Sequence, residues 1–181
     1  MNVHSKHRAR GLRRWIPREG AGFSLIEMIV VVAIILIIAA IAIPRLVRTK
    51  MAANEAAAVQ SLRVITTAEV TYDATYNQGY APTLTSLGPP PPGSQASAAH
   101  ADLVDVVLAS GIRNGYNFVY VPIDAAGNGQ PTAFTANANP VSLGQTGERY
   151  FFVDQTNVIR FALGGPANPS STPRAKRITL V

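Results

Sequence analysis

The chain has 181 residues, 48% of them hydrophobic, with 16 basic and 10 acidic side chains and no cysteine. The missing cysteines exclude disulfides and thiol chemistry, and the length leaves room for one small domain beside a membrane segment. The formal charge of +6 is not a nucleic-acid footprint: residues 1–22 hold Lys6, Arg8, Arg10, Arg13, Arg14 and Arg18 against Glu19, a net of +5, and the rest carries only +1.

The basic segment runs into GFSLIEMIVVVAIILIIAAIAIP, residues 22–44. Of the 21 residues from Phe23 to Ile43, only Ser24 and Glu27 are polar. At about 1.5 Å per residue such a helix spans roughly 30 Å, the thickness of a bilayer's hydrocarbon core. Positive charge before it holds that end in the cytoplasm and sends the C-terminal part outward. A carboxylate inside the run costs about 2.5 kcal/mol or more, so Glu27 calls for a positive partner, most simply on another chain. An ordinary secretory signal would cut after Ala40-Ile41-Ala42, but its apolar region would be too long, would contain Glu27 and would end just before Pro44. Arg13-Arg14 suggests a twin-arginine signal, yet arginine is scattered through the segment. A plain signal anchor explains the length and not Glu27.

Glycine, then Phe-Ser-Leu-Ile-Glu, then about twenty apolar residues and a proline resembles the prepilin processing site of type IV pilins and of the pseudopilins of type II secretion. The resemblance implies that a membrane prepilin peptidase cuts between Gly22 and Phe23 and methylates the new N-terminus of Phe23. It makes Glu27 the charged assembly residue and Pro44 the proline many type IV pilins share. It also implies an α+β fold of lollipop shape, with the C-terminal half of one long N-terminal helix packed on a small antiparallel sheet. The expected organisation is a removed leader (residues 1–22), a membrane and filament-core helix (23–43), an amphipathic half of the same helix (44–78) and a C-terminal domain (79–181).

Residues 45–76 lack glycine and further proline, and alanine is frequent from 52 to 58, so one helix is predicted over 23–77, ended by Gln78-Gly79. Pro44 should kink or locally open it. Val47, Met51, Ala58, Leu62, Ile65, Ala68 or Val70, Tyr72 and Tyr76 form the apolar face, opposite Arg48, Lys50, Asn54, Glu55, Gln60, Arg63 and Glu69. Residues 80–99 read as loop, stiffened by four prolines from Pro89 to Pro92. Residues 101–110 allow a short helix with Leu103, Val104, Val107 and Leu108 on one face, stopped by Gly111. Strands are predicted over 116–121, ended by Pro122, and over 132–138, ended by Asn139-Pro140. A hairpin follows from 149–153 and 158–162, then a loop over 164–173 and a basic, apolar tail. The sequences at 115–118, 138–140 and 147–154 resemble a cysteine-free bacterial pilin-like subfamily.

No catalytic constellation is found. His4 and His7 belong to the leader, which leaves His100 in a loop without a nucleophile elbow. No cofactor is expected, and no cluster of ligands suits a metal. Asp124 with Asn128, and Asp154 with Asn157, come nearest to calcium loops, but one carboxylate per loop reads as turn chemistry. Tyr72, Tyr76 and Tyr80 read as packing.

The resemblance implies a structural subunit of a type IV pilus-like filament rather than an enzyme. Its partners would be copies of itself, the prepilin peptidase, an assembly platform and ATPase, and the inner membrane before assembly, with no specific nucleic acid. It would start as a single-pass inner-membrane protein with a cytoplasmic N-terminus and end in an extracellular pilus or a periplasmic pseudopilus. A type II secretion pseudopilin is the alternative, and a membrane-anchored domain that never polymerises is the other class.

Overall fold

A computed structural model describes residues 22–173. The predicted leader and the basic tail from Arg174 onward lie outside the described residues. The described residues divide into two compact units, one ending at Ile41 and the other beginning at Ala42.

In the first unit, helix α1 begins at Leu25, just after Ser24. The Met28 amide donates to the Ser24 carbonyl at 3.2 Å, and Glu27 stands in the first turn, where an acidic side chain favours the unpaired amides. Most of the side chains from 25 to 41 are exposed.

α1 spans Leu25–Tyr76. The helix continues through Pro44 without interruption, although proline has no N–H for the Ala40 carbonyl. Asn77 ends the helix in the left-handed region, φ 50°, with its amide on the Asp73 carbonyl at 2.9 Å. Gly79 follows at φ 75°, where a Cβ would run into the Pro131 carbonyl.

The second unit is an α+β domain around a six-stranded antiparallel sheet in sequential order. The strands are β1 (Ile112–Arg113), β2 (Tyr116–Ile123), β3 (Ala133–Pro140), β4 (Arg149–Asp154), β5 (Arg160–Leu163) and β6 (Thr172–Pro173). Ala58, Leu62, Ile65, Ala68 and Tyr72 of α1 share one core with Tyr116, Phe118, Ala136, Ala138, Phe151 and Val153 of the sheet. In register, Phe118 faces Ala138 and Ala138 faces Phe151, so small residues on the central strand sit between large ones on its neighbours. The outer face is partly covered as well: Asn137 donates to the Ala167 carbonyl at 2.7 Å, and Phe152 and Ala167 are buried.

Pro122 does not end β2; the strand continues to Ile123. The Gly115 carbonyl accepts from Val141 while the Phe118 amide donates to Gly111, so even-numbered residues of β2 point their amides away from β3. The missing N–H of Pro122 falls on that side, beyond the reach of the two-residue β1, where no ladder bond is lost. Nor do Asn139-Pro140 end β3, since Pro140 pairs with Tyr116. Part of the predicted 164–173 loop closes the sheet as β6.

The helix predicted over 101–110 shrinks to α2, Val106–Ala109. The amides of Ala101, Asp102, Leu103 and Val104 are spent on the Ser86, Gly88 and Leu87 carbonyls around a 3₁₀ turn, Leu84–Leu87, inside the predicted loop. Asp105 then caps α2 by accepting from Val107 and Leu108, both at 3.0 Å. Val106 and Val107 are exposed, and Leu108 enters the core.

Candidate processing and assembly segment

Gly22, Phe23 and Ser24 precede the helix as exposed, irregular backbone. A Cβ on Gly22 would meet nothing within 4 Å, so local packing gives no reason for glycine there. Phe23 is 78% exposed, and every Leu, Ile, Val and Met from Leu25 to Ile43 is exposed too. A helix apolar on all sides belongs in lipid or among other helices. Its length and hydropathy suffice to cross a membrane. The Glu27 side chain forms no hydrogen bond or ion pair among the described residues. Pro44 lies just past this segment, inside α1.

The profile of the prokaryotic N-terminal methylation motif matches residues 19–43. The chain carries this type IV pilin and pseudopilin signature. The match takes in Gly22, Phe23 and Glu27 and stops one residue before Pro44. Proteins with the pilin-type signature are structural, and the motif implies processing by a prepilin peptidase and assembly with copies of the same chain. Signature and apolar helix together fit anchoring in the inner membrane. No curated protein and no solved structure matches the chain.

The chain has no group of three His, Asp or Glu side chains placed to hold a metal among the described residues. Asp124 receives the Gly127 amide at 2.8 Å on one oxygen and the Gly129 amide at 2.7 Å on the other. These amides, Gly129 foremost, hold its pKa below the usual carboxylate value. Asn128 accepts from Gln130, and Asp154 from Thr156, both within their own turns. These oxygens shape loops, as the sequence suggested. His100 exchanges backbone hydrogen bonds with Ser97.

Two acidic residues expected on the solvent face of α1 are buried instead. Glu55 lies at 8% exposure and Glu69 at 0%. Glu55 accepts from the Glu148 amide at 3.0 Å, the Arg149 amide at 3.3 Å and the Arg149 guanidinium at 3.0 Å. Glu69 accepts from the Ala81 amide at 2.9 Å. Burial raises its pKa to about 7, and the Ala81 amide and the nearby Tyr120 hydroxyl pull it down only in part. A signal was present: Met51, Glu55, Ala58, Leu62, Ile65, Glu69 and Tyr72 follow one another at alternating steps of three and four, so both carboxylates fall on the core stripe. Val70, the alternative to Ala68 on that face, is exposed, as is Val47. Tyr72 is buried with its hydroxyl on the Ala98 carbonyl at 2.8 Å and its ring 4.9 Å from that of Tyr76, in keeping with packing.

Proposed function

We propose that this chain is the structural subunit of a type IV pilus-like filament. The carrying observation is an apolar helix, exposed on all sides, that keeps one carboxylate, Glu27, without a partner among the described residues and inside the matched methylation motif. The precursor sits in the inner membrane with residues 1–22 in the cytoplasm and the domain outward. A prepilin peptidase cuts between Gly22 and Phe23 and methylates Phe23. A separately encoded platform and ATPase then pass the subunit into a growing fibre, in which residues 23–43 bundle and the β-domains form the surface.

Glu27 pairs with the N-terminal amine of a neighbouring copy. In an apolar bundle the effective dielectric is low and their attraction strong. A carboxylate left without that amine is costly there, and this sets the register of each incoming copy.

A pseudopilin of type II secretion is the second reading. Pro44 favours the pilus, and so does the use of the Asp124 and Asp154 oxygens by their own loops, which supports no calcium loop. Intact mass of the membrane-extracted chain, expressed with and without a prepilin peptidase, tests processing. Loss of residues 1–22 with gain of one methyl group is expected. An uncut chain, or a cut after Ala42, overturns the reading and leaves an anchored or secreted domain.

A further inference from the structure

Arg45, Arg48 and Lys50 follow the apolar run within seven residues, and no acidic side chain lies between Glu27 and Glu55. Every residue from 41 to 50 is exposed, and the first buried position of α1 is Met51. None of the three cations has an ion pair among the described residues, where the acidic partners of such pairs, Asp105 and Glu55, are taken by Arg113 and Arg149. The described part of the domain therefore leaves this charge unpaired.

We infer that Arg45, Arg48 and Lys50 form a collar that binds the phosphates of anionic lipids on the outward face of the membrane and fixes the depth of the inserted helix. The axial placement fits. With residues 23–43 filling about 30 Å of hydrocarbon, the three cations fall roughly 3–10 Å beyond it, within the headgroup layer. The angular placement selects lipid over a protein face. At about 100° per residue, Arg48 lies about 60° to one side of Arg45 and Lys50 about 140° to the other, so the charges surround the helix. A partner docking on one side would meet only part of them, whereas headgroups surround an inserted helix completely. Each basic residue at an anionic surface adds attraction that falls off within a Debye length. Long basic side chains also keep their stems on apolar surface while the charged ends stay in the polar layer. The collar has a consequence for processing. While residues 1–22 remain, their net charge of +5 outweighs it; once they are removed, these three side chains become the main basic group flanking the span. The inference rests on the membrane-anchored state alone, not on filament growth.

The absence of cysteine makes a single Ala52→Cys substitution, at an exposed position of α1, a unique label site. The full chain, labelled there with a polarity-sensitive dye, is reconstituted in vesicles of phosphatidylcholine alone or mixed with phosphatidylglycerol, and an aqueous quencher reads the dye's accessibility. Phosphatidylglycerol should lower quenching about threefold at low salt, with the effect shrinking as salt rises. Arg45→Gln/Arg48→Gln/Lys50→Gln should abolish the lipid dependence, and Arg45→Lys/Arg48→Lys should keep it. Equal quenching in both vesicles, or an unchanged response in the glutamine variant, overturns the collar. A response that grows with protein density at fixed lipid assigns the charges to a second copy and overturns it too. Failure of the chain to float with vesicles defeats membrane anchoring itself, a result distinct from an inserted chain indifferent to lipid charge.

Discussion

Glu69 and Tyr120 hold Ala81 from its two polar ends: the carboxylate accepts the Ala81 amide at 2.9 Å, and the phenol donates to the Ala81 carbonyl at 2.8 Å. The contact fastens the segment after α1 to both the helix and β2. Its weakness is the other Glu69 oxygen, buried without a hydrogen-bond partner among the described residues. Burial pushes the Tyr120 phenol far up, with the Glu69 charge adding to it, so the phenol stays a donor.

This arrangement should make stability depend on pH. The folded-state pKa of Glu69, about 7, lies above its ordinary 4.5, so the folded chain binds the extra proton between those values. Stability should fall as pH rises from about 4.5 through 7, by on the order of 3 kcal/mol, and level off above. Glu69→Gln should remove this slope and be the more stable chain at pH 8. Thermal unfolding of the detergent-solubilised protein across that range checks it; parallel pH profiles for the two chains would refute the assignment.

The pairing of Glu55 with Arg149 should be lopsided. The Glu55 side chain is 11% exposed and accepts two backbone amides besides the guanidinium, whereas the Arg149 side chain is 52% exposed. Glu55→Ala should cost about 2–3 kcal/mol because it leaves those amides unpaired. Arg149→Ala should cost about 1 kcal/mol or less, since water screens the charge. Denaturant titrations of both variants settle the order, and equal losses would contradict it.

Gly147 is required by space rather than by backbone angle. A Cβ there would fall on the Tyr116 ring and hydroxyl, which donates to the Arg149 carbonyl at 2.9 Å. Gly147→Ala should destabilise by about 1–3 kcal/mol. Gly165→Ala, where nothing lies within 4 Å, should be close to neutral and serves as the control.

In cells, Glu27→Ala should leave the precursor in the membrane and cut normally, yet abolish filaments. Gly22→Val should block the cut itself. Electron microscopy of sheared surface fractions, with immunoblots of membranes, reads both; normal fibres from the Glu27→Ala strain would sink the pairing with a neighbour's amine.

Calcium at millimolar concentration should leave the melting temperature unchanged, because Asp124 is the one carboxylate of its loop and each of its oxygens is oriented by a backbone amide. A clear upward shift would show that the loop rearranges around the ion.

The apolar run from Phe23 to Ile43, the Gly22-Phe23 junction, Glu27 and the glycine-free stretch behind Pro44 were legible without a structure. They are local: a membrane-length helix and a processing motif depend on neighbours in sequence, and hydropathy records them directly. The alternating strand around Tyr116 was legible for the same reason, although its end was not. What tertiary structure alone decided was the fate of groups whose partners are distant. Glu55 is buried because Glu148 and Arg149, more than ninety positions away, bring the donors that offset the cost. Pro122 stays within a strand because β1 is too short to need its amide, and residues 101–104 leave the helical path because the Leu84–Leu87 turn takes their hydrogen bonds. A sequence fixes which residues seek burial or a partner; which polar group finds one is set by the elements that fold against it.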